Sequence, residues 1–141
     1  MDSAESEPAI LYSPLQVAWG SFIGSPFAGC WFISRNYRHL GDQRKASQFL
    51  IWGFILSIVL LVATLFLPES FPTLGVPIGY SVALYFITSR LFAQLPSGYE
   101  GVIEQASNWR VAGISLLWLV GACVVGFTLI EVVPEGYFPG E

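Results

Sequence analysis

Residues 50–67 read LIWGFILSIVLLVATLFL, an unbroken run with no charge and no proline. A bilayer core about 30 Å thick needs about 20 apolar helical residues at roughly 1.5 Å each. This run therefore marks an integral membrane protein. Charged residues make up 11% of the chain, against roughly a quarter in a soluble domain. So few charges cannot clothe a water-facing surface.

The same criterion predicts four membrane-spanning helices, over residues 13–34, 48–67, 72–91 and 111–130, in one membrane domain covering residues 1–141. The expected fold class is thus an all-α integral membrane protein. The residues ahead of the first span, MDSAESEP, are acidic where the leading region of a cleaved signal is basic, so the first span is expected to stay in the mature protein.

All the basic residues fall in two places. Arg35, Arg38, Arg44 and Lys45 follow span one, and Arg90 and Arg110 flank the connection between spans three and four. In a four-span chain both places lie on one side, and the other side carries acids alone. The positive-inside rule then puts the basic connections in the cytoplasm and both termini outside, with residues 1–10 as an acidic non-cytoplasmic tail of a bacterial inner-membrane protein. Tyr12, Trp31, Trp52 and Trp109 suit the interfaces, whereas Trp19 and Trp118 read as packing residues.

Shifted by 55 residues, the chain aligns Gly20, Gly24, Ala28, Ser34 and Arg35 with Gly75, Gly79, Ala83, Ser89 and Arg90; shifted by 60, Ala46, Ser47 and Gly53 align with Ala106, Ser107 and Gly113. This reads as two tandem helical hairpins in a parallel repeat about an axis along the membrane normal. Gly20, Gly24 and Ala28 recur every fourth residue on one helix face, as do Gly75, Gly79 and Ala83. Such stripes let backbones approach closely, so spans one and three are expected to pack on each other there. Pro26 lacks an amide donor and clashes with the carbonyl of Phe22 in a continuous helix, which predicts a kink. Pro77 either kinks span three or marks its late start.

No acid, base or histidine sits near the middle of any span, where ion-moving proteins usually hold one. His39 and Asp42 are too few for a zinc site, and no nucleophile motif or phosphate loop is present. Catalytic, cofactor and metal residues are accordingly expected to be absent, as is a nucleic-acid partner, since no basic patch of the needed size exists. Cys30 and Cys123 lie at different depths and are expected to stay unpaired. The loop bearing Arg35, Arg38, Arg44 and Lys45 could meet anionic lipid. Val102, Ile103 and Ala106 have the spacing of a short surface helix.

The segment PLQVAWGSFIGSPFAGCWFISRNYRHLG, followed by three more spans, resembles small four-span bacterial membrane proteins. That resemblance implies no activity, cofactor or site residue. The leading functional expectation is a non-enzymatic protein acting on partners within the bilayer, such as an accessory subunit, assembly factor or immunity-type protein, with a membrane protein or a second copy of the chain as partner. The alternative is a small channel or transporter whose path follows the Gly/Pro faces of spans one and three.

Overall fold

Two prolines each open a helix. Ser13 and Gln16 form a reciprocal capping box ahead of Pro14: the Ser13 hydroxyl accepts from the Gln16 amide at 3.2 Å, and the Gln16 side-chain oxygen accepts from the Ser13 amide at 3.0 Å. Proline at the first helical position costs nothing, because that amide has no partner in any case. The pattern recurs at Ser25 and Pro26, with Ser25 accepting from the Ala28 amide at 3.4 Å. A helix beginning at Pro26 obliges another to end before it. The Ser25 amide donates to the Ser21 carbonyl at 3.0 Å, and Ser25 then leaves the helical region with φ 122° and ψ 166°.

The computed structural model describes residues 9–96 and 103–132 of the chain. In order these form β1 (Ala9–Leu11), α1 (Pro14–Gly24), α2 (Pro26–His39), α3 (Gln43–Phe66), α4 (Gly75–Ala93), β2 (Ile103–Gln105) and α5 (Asn108–Val132). The chain is essentially all-helical, and three of its helices, α3, α4 and α5, are long and apolar enough to cross a membrane.

The first segment is not one kinked span. At Ser25 the chain reverses, and α2 runs back along α1: Gly29 lies on the Ser21 side chain, Gly20 on the ring of Phe32, and the Tyr12 backbone beside Asn36. With 11 and 14 residues, α1 and α2 rise roughly 16 and 21 Å, so neither reaches across a core of about 30 Å. Of the four expected spanning helices, three are thus long and apolar enough to cross, and the segment expected as the first span is a short helical hairpin.

The expected repeat fails at the same place. A shift of 55 sets Pro26 opposite Ser81, which keeps its amide, so α4 runs straight where the first segment breaks. Pro77 lies in the first turn of α4, where amides are unpaired, and marks a late start.

The hairpin forms the centre. α3 packs along α2, α4 and α5 pack on α1, and among the described residues α3, α4 and α5 do not pack on one another. Val17, Ala28, Phe32 and Ile33 on the hairpin are fully buried, whereas most apolar side chains of the long helices face outward, with Ala46, Leu84, Leu91 and Val111 as buried exceptions. That inversion suits lipid as the surrounding solvent.

β1 and β2 pair in parallel, Ala9 with Ile103, Ile10 with Glu104 and Leu11 with Gln105. The surface helix expected around Ile103 is a strand instead, because its backbone groups are taken up by β1. Its part before Ile103 lies outside the described residues. The pairing also fixes Ala9–Leu11 at the end of the helices that carries Arg35, Arg44, Arg90 and Arg110. The four-span layout had set the N-terminal segment at the opposite end; reversal at Ser25 brings it back to the basic end of the bundle. Residues 1–8 of the expected acidic tail, and residues 133–141, lie outside the described residues.

Candidate functional site

Two places in the fold bring together residues that are far apart in sequence. The first is at the basic end. Asn36, fully buried, receives the Tyr12 amide on its side-chain oxygen at 2.7 Å and donates its amide nitrogen to the Tyr12 carbonyl at 2.8 Å. Gln16 donates to the Ala106 carbonyl and to the Asn108 side-chain oxygen. These amides fasten β1, α1, α2 and the start of α5 together. The Tyr12 ring lies 4.7 Å from that of Phe32, centroid to centroid.

Above this lock opens a pocket of about 400 Å³, lined by Tyr12, Trp31, Arg35, His39 and Arg110 with Ile10 and Ile114 as apolar wall. The Arg35 guanidinium carbon stands 5.0 Å from the Trp31 ring centroid, a cation–π distance. Burial raises the Tyr12 phenol above its ordinary pKa of 10.0, opposed by the positive charges of Arg110 and Arg35, so the hydroxyl stays a neutral donor. Among the described side chains the ion pair formed is Lys45 with Asp42, at 3.4 Å, and it lies away from this pocket.

The second place is above the tip of the hairpin. Because α1 and α2 fill only part of the helix length, the remaining halves of α3, α4 and α5 flank an open cavity of about 800 Å³ whose lining includes Ser25, Pro26 and Phe27 at the hairpin tip. Its wall is mainly apolar, with Tyr80, Trp118 and Glu69 among its lining residues. Trp118 packs edge-on against Phe27 at 4.5 Å, whereas Trp19 is exposed.

The residues singled out in the sequence scatter. Gly20, Gly24 and Ala28 are buried, but the stripe does not meet α4: a Cβ on Gly24 would come within 2.8 Å of the Ser115 carbonyl oxygen on α5, and one on Gly20 within 2.5 Å of Phe32. Gly75, Gly79 and Ala83 are exposed, and a Cβ on Gly79 would meet nothing within 4 Å. Helices α1 and α4 do pack together, through the hydroxyls of Ser21 and Ser81 at 3.2 Å. The expected pairing of the two stripes is thus corrected: reversal at Ser25 turns the glycine face of α1 towards α2 and α5. The same contacts leave no open path along Gly20 and Gly24. Pro26 heads α2 and is buried, and Cys30 and Cys123 are both free thiols.

Of the basic loop, Arg35 alone joins the pocket. Arg38 and Arg44 are exposed, and Lys45 pairs with Asp42. Sequence reasoning missed the meeting of Arg35 with Arg110, and missed Gln16 and Asn36. The two amides did carry a signal, being full-length polar side chains in an otherwise apolar segment, which must find partners once buried. No family model, curated protein or solved structure matches the chain.

Proposed function

We propose that this chain is a non-enzymatic protein of a bacterial inner membrane that binds helices of a membrane partner, in the manner of an accessory or assembly subunit. The observation that carries the reading is the way the three long helices are used. They pack on the central hairpin and not on each other, and Gly79, Gly113, Gly121 and Gly126 along them stand clear of every other side chain. Close backbone approach is the main source of helix affinity where lipid is as apolar as leucine. Glycine surfaces left open on α4 and α5 therefore fit a further helix, and the apolar cavity beside them offers it depth.

The proposed arrangement in the bilayer is three crossings with the hairpin entering from the basic side. The positive-inside rule makes that side cytoplasmic. The N-terminal strand is then cytoplasmic, the cavity faces the opposite leaflet, and the C-terminus lies outside.

Photo-crosslinking residues placed at the exposed Val82 and Val124, each about one turn from an open glycine, test the reading in intact membranes. Discrete protein adducts are expected from both positions, with a doubled chain mass indicating a second copy and any other mass a different partner. Adducts to lipid alone would remove the proposal.

A further inference from the structure

We propose that the pocket between α2, α5 and β1 binds a phosphate-bearing anion. This inference is independent of the helix-binding reading, since it concerns the basic end and different residues. Arg35 and His39 sit one turn apart near the end of α2, and Arg110 lies in the first turn of α5. All three line one concavity of about 400 Å³ together with Tyr12.

The fold brings two arginines far apart in sequence to one small cavity, both open to solvent, with Arg35 resting on the Trp31 ring. Their planar donor forks match phosphate oxygens in pairs, which a lysine cannot do. Tyr12 supplies a further donor, held as the phenol by burial among apolar neighbours. The position of that donor is set by the two Asn36 hydrogen bonds to its own backbone. The cavity thus has a pinned backbone at its floor and solvent-exposed arginines at its rim; Arg38 and Arg44 are exposed as well but line no part of it.

Its apolar share has meaning too. Ile10, Trp31 and Ile114 line the same space, so the ligand has a charged head beside an apolar body or a flat group that can lie on Trp31. Two sources have that chemistry: the headgroup of an anionic phospholipid in the adjoining leaflet, where such lipids concentrate, and a free phosphoryl compound from the aqueous side.

The test uses the full chain in nanodiscs and follows its thermal unfolding. A ligand that binds the folded state raises the midpoint with its concentration. One arm exchanges phosphatidylcholine for phosphatidylglycerol; the other keeps phosphatidylcholine and adds inorganic phosphate. A rise in the first arm alone identifies the headgroup, and a rise with phosphate identifies a soluble ligand. In whichever arm responds, Arg35→Gln and Arg110→Gln should each lower affinity at least about tenfold, the loss expected when a charge-assisted hydrogen bond is removed. Arg35→Lys, which keeps the charge and the fold, should lose most of the same affinity. Arg38→Gln and Arg44→Gln should leave it unchanged. No rise in either arm, or an equal loss in Arg44→Gln, would overturn the site, the latter by showing only diffuse attraction to basic charge.

Discussion

Asn36 and Ser25 show how much of this fold hangs on single side chains. Asn36 satisfies both backbone groups of Tyr12 from the opposite arm of the hairpin. Asn36→Ala strands those groups, at about 1–3 kcal/mol for each that stays buried. Thermal unfolding in detergent should show the loss, and Asn36→Asp should not rescue it, because a carboxylate cannot donate to the Tyr12 carbonyl; an unchanged midpoint in Asn36→Ala would show that the lock is not needed. Ser25 has the opposite character. A φ of 122° in a residue with a Cβ stores strain of order 1–3 kcal/mol, while exchanging a serine cap for glycine loses only a few tenths. Ser25→Gly is accordingly expected to raise the unfolding midpoint and Ser25→Val to lower it. At the start of α3, Asp42 accepts the Lys45 amide at 3.0 Å, and this hydrogen bond, with the nearby Lys45 and Arg44 charges, holds its carboxyl below the usual 3.8. A depressed acid contributes stability above its unfolded pKa and loses it as pH falls through the folded value. Amide exchange at Lys45, corrected for the intrinsic rate, should therefore lose protection on acidification below pH about 4, and Asp42→Asn should flatten that dependence.

At the scale of the element, the glycine stripes separate by what they touch. Gly24 lies against the backbone of Ser115, so Gly24→Leu must push α5 off α1 and should cost about 1–3 kcal/mol or more through overpacking. Gly79 faces open space on α4. Gly79→Leu should leave the midpoint of the isolated chain within the range of Leu60→Val, while abolishing crosslinks to a partner from a neighbouring position on α4. Equal destabilisation by the two leucines would mean that the α4 stripe is already packed within the chain. The two stripes look alike in sequence because spacing records which residues share a helix face. It carries no information on where that face points.

For the whole molecule, one reversal changes the parity of the topology. With the three crossings proposed above, reporters that are active only in the cytoplasm should work at Met1 and fail at Glu141, and the reverse should hold for reporters active only outside. Equal behaviour at the two ends would restore a four-crossing chain. The same parity explains the placement of the cavity. A hairpin of half-depth helices fills the basic half of the bundle, and the three longer helices extend past it without an occupant for the space between them.

Membrane class, the presence of long apolar helices at α3 and α5, the gathering of basic residues at one end and the free cysteines all came from the chain itself. Each rests on a local property: run length, charge position, or depth along a helix. The hairpin was half legible, since Ser-Pro at 25–26 repeats the Ser-Pro at 13–14 that opens α1, yet a proline in an apolar run is equally compatible with a kink. Choosing between them took the contacts of the other arm: Asn36 on Tyr12, Phe32 on Gly20 and Ser21 on Gly29. The meeting of Arg35 with Arg110, the β1–β2 pairing and the outward turn of Gly79 were likewise settled only in three dimensions. They depend on which way the chain leaves Ser25, and that direction is set by the free energy of the whole packed hairpin rather than by any residue's own preference.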